Sequence, residues 1–197
     1  MDEYLESSTY IDWKNPSILA LAEELANHSF SEDQTVQNCF EWVRDKIKHS
    51  ADYKLNPITI KASDVLKHST GYCYAKSHLL AALLRANKIP TGMCYQRLKL
   101  NNETAAYSLH GFNAVFLQNI GWYRIDPRGN KEGINAQFSP PTEQLAYSAD
   151  DTGEIDFSNV LPKPLPLVIS ALQKNLTYLE LNENLPDAKL IDHRTNT

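Results

Sequence analysis

From Ile18 to Ala86 the apolar positions recur every three or four residues, and from Met93 to Ile125 they run in short strand-like blocks. Asn15-Pro16-Ser17 opens the first predicted helix, with Asn15 as cap and Pro16 at the first helical position, where its missing N–H costs nothing. Ile18, Leu19, Leu21, Ala22, Leu25 and Ala26 form its apolar face. Ser31-Glu32-Asp33-Gln34 has the capping-box pattern and precedes an amphipathic stripe of Val36, Cys39, Phe40, Val43 and Ile47. Residues 51–62 read as a loop turning at Asn56-Pro57, and Ser63 as the cap of a short helix through Leu66. After Ser69-Thr70-Gly71-Tyr72-Cys73, the run Leu79, Leu80, Ala82, Leu83, Leu84, Ala86 leaves so little polar face that it predicts a central, buried helix ending at Asn87-Lys88-Ile89-Pro90.

The period then changes. Met93–Leu98, Leu109–Leu117 and Gly121–Ile125 predict strands, with a polar loop over 99–107 and a turn around Gln118-Asn119. Helices first and antiparallel strands after make an α+β layout, with N-terminal helices and a central buried helix packed on an antiparallel sheet. From Ser139 the pattern weakens into proline-punctuated chain, with a short helix around Leu167–Leu172. Residues 1–138 are taken as the core and 139–197 as an extension wrapping it within the same domain.

Composition narrows the function classes. The 197 residues carry 19 basic and 24 acidic side chains, a net charge of −5, with no basic stripe of the kind nucleic acid requires. Lys46, Lys48 and His49 read as the solvated end of a helix. The acidic N-terminus lacks the apolar run of a secretory signal, and no stretch reaches membrane-spanning length. Three cysteines, Cys39, Cys73 and Cys94, are an odd number without Cys-x-x-Cys spacing. No disulfide framework, metal or cofactor is implied, and a reducing cytoplasm is the expected setting. Cys39 falls on a buried stripe and reads as a core residue.

Cys73 is different, because it directly precedes the central helix. Free N–H groups and the helix dipole favour a thiolate there, and the same N–H groups can receive an oxyanion. Gly71 permits close backbone approach. A thiol nucleophile needs a base, and the base an orienting partner. His78 lies about 140° round the helix from Cys73 and points elsewhere. His28 and His49 sit at helix ends, His193 lies in the tail, and His68 stands in the loop before Cys73. His110 opens the strand His110–Phe116. Asp126 ends the next strand before Pro127, where an unpaired carboxylate would be costly. The side-chain period of two puts His110 and Asp126 on one face if the strands pair with even parity. The expected register sets them directly opposite, with an odd-length turn centred on Gln118.

Four fragments in this order resemble the transglutaminase-like superfamily, in the form bacteria often carry as candidate cysteine proteases. They are Thr70-Gly71-Tyr72-Cys73, Leu83–Pro90, Leu109-His110-Gly111-Phe112-Asn113-Ala114-Val115 and Gly121-Trp122-Tyr123-Arg124-Ile125-Asp126-Pro127. The resemblance covers roughly residues 30–130. It implies a papain-like fold and acyl-transfer chemistry, with Cys73 as nucleophile, His110 as general base and acid, and Asp126 as the orienting carboxylate. The chain departs from the family in having Phe112 where a Trp is frequent, and Arg128-Gly129-Asn130 after Asp-Pro. It lacks the acidic calcium loops of animal transglutaminases and the Cys pairs of peptide N-glycanases.

Around this triad, Tyr72 and Tyr74 flank the nucleophile, and Trp122 shares the even face with Asp126, walling the site or merely packing. Gln96 is a possible oxyanion donor or a solvent-facing strand residue. Arg128 is a possible carboxylate binder or one half of a surface salt bridge. The implied reaction is hydrolysis of a peptide or carboxamide bond through a Cys thioester. An amine acyltransferase is the alternative (a transglutaminase, or an arylamine N-acetyltransferase by Gly71-Tyr72-Cys73). A non-enzymatic binding module is the third reading. The partner implied is a peptide, protein or small amide, with neither nucleic acid nor membrane; oligomeric state is open.

Overall fold

The computed structural model describes residues 1–27, 29–100 and 106–191, so the readings of His28, His193 and most of the 99–107 loop lie outside the described residues. Helix α1 (Pro16–Ala26) is capped as expected, Asn15 accepting from the Ser17 N–H at 3.0 Å. Leu19 departs from the expected apolar face and is exposed, because the buried stripe is the narrower set Ile18, Leu21 and Ala22. Helix α2 (Glu32–Lys46) starts at Ser31, whose hydroxyl accepts from Gln34 N at 3.2 Å. The other half of the capping box is not made, since the Gln34 side chain bonds Asn38.

The stretch read as a loop contains one helical turn, α3 (Ser50–Tyr53), after a two-residue strand β1 (Lys48–His49). Ser63 is not a cap. It lies inside α4 (Ala62–His68), where both its N–H and its hydroxyl bond Asp12, at 3.0 and 2.6 Å. A remote carboxylate thus does the capping work at this helix start.

Strand β2 (Thr70–Gly71) runs parallel to β1 with His49 opposite Gly71, and α5 (Cys73–Ala86) follows. Every residue from Cys73 to Arg85 is buried, with α1, α2 and α4 packed on one side and the sheet on the other. Full burial of each of its leucines is worth about 1.5–3 kcal/mol. The buried set also holds Lys76, His78 and Arg85, which apolar patterning passed over. Lys76, Arg85 and His78 Nδ1 each meet backbone carbonyls, as buried polar groups generally do, while His78 Nε2 is left without a partner. Lys76 Nζ donates to the Arg44 and Ile47 carbonyls at the end of α2. Arg85 donates to Thr91, Glu6 and Pro162, pinning both the N-terminal segment and the extension to the helix.

The sheet runs β5-β4-β3-β6, all antiparallel: β3 is Thr91–Lys99, β4 Tyr107–Leu117, β5 Gly121–Ile125 and β6 Ile155–Asp156. The extension lies along this frame. Leu161 bridges Met93, and Leu165 N donates to the Tyr95 hydroxyl at 3.1 Å. Helix α6 (Pro166–Lys174) buries Val168, Ile169 and Leu172, and α7 (Tyr178–Glu183) buries Leu181. Among the described residues no helix is long and apolar enough to cross a membrane.

Candidate active site

Cys73 is the first residue of α5 and nearly buried, preceded by Tyr72 in extended conformation. A Cβ at Gly71 would meet Thr59 Oγ1 at 3.1 Å and Ala75 Cβ at 3.2 Å, so the glycine serves the close approach read from the sequence. Gly111 does similar work unannounced, because a Cβ there would stand 2.8 Å from Tyr74 Cδ1. Its absence lets the first turn of α5 lie on β4. The contact is tied by Ser77 Oγ, which donates to the Cys73 and Gly111 carbonyls at 2.8 and 3.2 Å, and by the Tyr74 hydroxyl donating to Leu109 O.

That docking brings the start of α5 to His110. His110 Nε2 bonds Asp126 Oδ2 at 2.7 Å, and Asp126 is wholly buried. The carboxylate also accepts from Ala146 N at 3.1 Å and Arg128 N at 3.0 Å. Burial disfavours charge on both members of the pair, the imidazolium and the carboxylate alike. Against it, Asp126 and then Cys73 raise His110 to about 10, while His110 and the two backbone donors hold Asp126 below its ordinary value. With Nε2 on Asp126, Nδ1 is the nitrogen left to face Cys73, whose charge adds to the rise. The ring is fixed by Phe112, stacked at 5.8 Å, and by Tyr147, edge-on at 4.9 Å.

The register differs from expectation by two residues. Leu117 pairs with Gly121 and Asn113 with Ile125, so the turn is the three residues Gln118–Ile120 centred on Asn119. Gly121, at φ +89°, supplies the left-handed position that such a loop needs. A shift of two preserves the face, so His110 and Asp126 meet diagonally.

A cavity of about 360 Å³ opens at this point, lined by Cys73, His110, Tyr72, Tyr147, Asp52 and Arg128 among others. Tyr72 lies in it with its hydroxyl donating to Tyr178 O at 2.8 Å. Arg128 also lines it and does make an ion pair, with the buried guanidinium holding the partly exposed Asp52 through two nitrogens at 2.6 and 3.0 Å. Burial pushes Asp52 up, yet Arg128 and Lys131 hold it at about 2.

Gln96 and Trp122 are not among the residues lining this cavity. Gln96 stands opposite His110 on β3 and is buried, not solvent-facing, because the extension covers it; its Nε2 donates to Tyr147 O at 3.4 Å. Trp122 keeps the even face but packs edge-on against Tyr4 and Phe116, since four strand residues carry it roughly 13 Å from Asp126.

The other histidines separate clearly. His68 ends α4, exposed, and His78 is buried against Ile60 O at 2.7 Å, where burial lowers it to about 4. His49 contradicts its reading as a solvated helix end. It is buried in the cavity wall, 3.8 Å from Asp52, and burial, reinforced by Arg128, lowers it far below its ordinary range. Lys46 and Lys48 are exposed as expected. Cys39 and Cys94 are buried thiols that burial pushes up to about 12. Asp52 and Tyr147, absent from the sequence reading, lie in the single turn α3 and in the weakly patterned extension, where no periodicity marks them.

The sequence matches the core of the transglutaminase-like superfamily over residues 19–127, more than half of the chain, and the protein belongs to that superfamily. Its members include cysteine-protease-like proteins and acyltransferases and are typically enzymes. Among solved structures, a candidate cysteine protease from Cytophaga hutchinsonii is similar at 18% identity and a TM-score of 0.51, over 64% of this chain and 40% of that one. The periplasmic domain of TgpA from Pseudomonas aeruginosa is similar at 22% identity and a TM-score of 0.48, over 63% and 45%. The chain thus spans less than half the length of these structures. No curated protein matches the sequence.

Proposed function

We propose that this protein is a thiol-dependent acyl-transfer enzyme that hydrolyses a peptide or carboxamide bond. The observation that carries the reading is the buried 2.7 Å bond between His110 Nε2 and Asp126, facing a cavity shared with Cys73 at a helix N-terminus. In this reading His110 holds the Cys73 proton and the thiolate attacks the substrate carbonyl carbon. N–H groups at the start of α5 receive the oxyanion. His110 then protonates the leaving amine as the C–N bond breaks, leaving a thioester. Water, deprotonated by His110, attacks that thioester, releasing the acid and returning the proton to the thiol.

Asp126 keeps the imidazole oriented throughout. The extension supplies Tyr147 and the Ala146 N–H to this machinery, so residues 1–138 and 139–197 act as one domain in this proposal. The substrate is a peptide, protein or small amide, and a reducing cytoplasm would keep the thiol free.

Iodoacetamide labelling against pH, read by peptide mass, tests the pair with Cys39 and Cys94 as internal controls. Cys73 is expected to label rapidly at about pH 6, where an ordinary thiol is almost wholly protonated, and to lose that reactivity in His110→Ala. Labelling no faster than the controls, or indifferent to His110→Ala, sinks the reading. Amine added during turnover distinguishes water from an amine as the acceptor.

A further inference from the structure

The chain's own C-terminal segment forms part of the cleft wall. After α7, Leu185 lines the Cys73 cavity together with Asn182. Pro186 is buried, and its carbonyl accepts from Leu109 N at 2.7 Å, one residue before His110 on β4. β5 ends opposite Asn113, so it does not reach this N–H. Asp187 then forms a two-point pair with Arg97 of β3, at 2.6 and 2.7 Å. Arg97 is itself well prepared: it is buried, lies over the Tyr107 ring at 3.7 Å and donates to Gly153 O at 2.6 Å. Behind these residues lies a second cavity of about 470 Å³, bounded by Leu167, Ala171 and Asn175, so the segment is a thin partition between two spaces.

An apolar side chain at the cleft wall, a carbonyl on a strand N–H that no neighbouring strand claims and a carboxylate on a preset guanidinium are the elements by which a sheet edge captures a peptide. We infer that the seat of Leu185–Asp187 is a peptide subsite of this cleft. Its ligand class is a peptide in which an apolar residue stands two positions before a carboxylate. The inference takes its functional meaning from the proposed acyl transfer, but its test does not depend on turnover. Covalent tethering gives the resident segment an effective concentration on the order of millimolar, so a free peptide competes poorly until the Asp187 anchor is removed.

The experiment uses the full chain, as wild type and as Asp187→Ala, a change at an exposed carboxylate. The rate of Cys73 alkylation is read by peptide mass, with and without millimolar acetyl-Asn-Leu-Pro-Asp-Ala-amide or its Asp→Asn counterpart. Asp187→Ala is expected to label on the order of fivefold faster, the factor corresponding to about 1 kcal/mol from a partly exposed pair. The acidic peptide should return labelling to the wild-type rate, the amide counterpart should not, and Arg97→Gln should abolish the protection. Fluorescence anisotropy of the labelled acidic peptide on Asp187→Ala gives an independent binding measurement. Unchanged labelling in Asp187→Ala, equal protection by both peptides, or protection that survives Arg97→Gln each overturns the inference. Peptide binding without any turnover would refute the proposed reaction and leave the subsite standing. Turnover without carboxylate-dependent binding would refute the subsite alone.

Discussion

Replacing Asp126 by asparagine keeps the shape of a wholly buried side chain and removes its charge from beside His110. In the wild type the imidazole is raised from 6.5 to about 10. At about 1.4 kcal/mol per tenfold change, that difference corresponds to a ceiling of roughly 5 kcal/mol. Breaking one side of a buried ion pair typically costs about 3–5 kcal/mol, so the two magnitudes agree.

The sign follows from the direction of each shift. A raised histidine stabilises the fold fully below its unfolded value and loses that contribution as pH rises through the folded one. A lowered aspartate stabilises above its unfolded value and loses its contribution on acidification. The pair is therefore strongest between about pH 5 and 6.5. In Asp126→Asn, burial opposed by Cys73 alone leaves the imidazole predominantly neutral. Urea unfolding at two pH values measures the consequence. The variant should be about 3–5 kcal/mol less stable at pH 6 and within about 1 kcal/mol of wild type at pH 10. Imidazole nitrogen NMR should show the ring protonated at pH 7 only in the wild type. A stability gap that is equal at both pH values, or larger at pH 10, would refute the charged-pair account.

Three further changes test how the frame holds the site. Gly111→Ala places a methyl group 2.8 Å from Tyr74 Cδ1, which must push α5 off β4; a loss of about 1–3 kcal/mol is expected, with slower Cys73 alkylation at pH 6. Lys76→Met leaves the Arg44 and Ile47 carbonyls without their buried donor, and thermal unfolding should register about 1–3 kcal/mol. Arg85→Met releases Glu6 and Pro162 together, so limited proteolysis should cut faster both before Ile11 and around Pro162, with α5 still protected.

Much of the architecture was legible locally. Asn15 and Ser31 announced their helices, because an N-cap acts on residues two or three positions away. The near-continuous apolar run after Cys73 required a buried helix, since only the interior accepts a helix without a polar face. Strand parity put His110 and Asp126 on one face for any even register, because side chains alternate strictly along a strand. Register was a different matter. Gln118, Asn119 and Ile120 form a loop closed by Gly121, and apolar alternation is satisfied equally well two residues either way.

The rest of the site consists of contacts between residues far apart in sequence. Asp52 meets Arg128, Lys76 meets the end of α2, Tyr147 meets His110, and Asp187 meets Arg97. Periodicity and capping act within a turn or a strand, so the sequence by itself determined the main helices and strands, most of their buried faces and the order of the three candidate site residues. Which remote charge neutralises which, and which segment lies across the cleft, was decided by tertiary packing, because a buried polar group takes whichever partner the topology brings within hydrogen-bond reach.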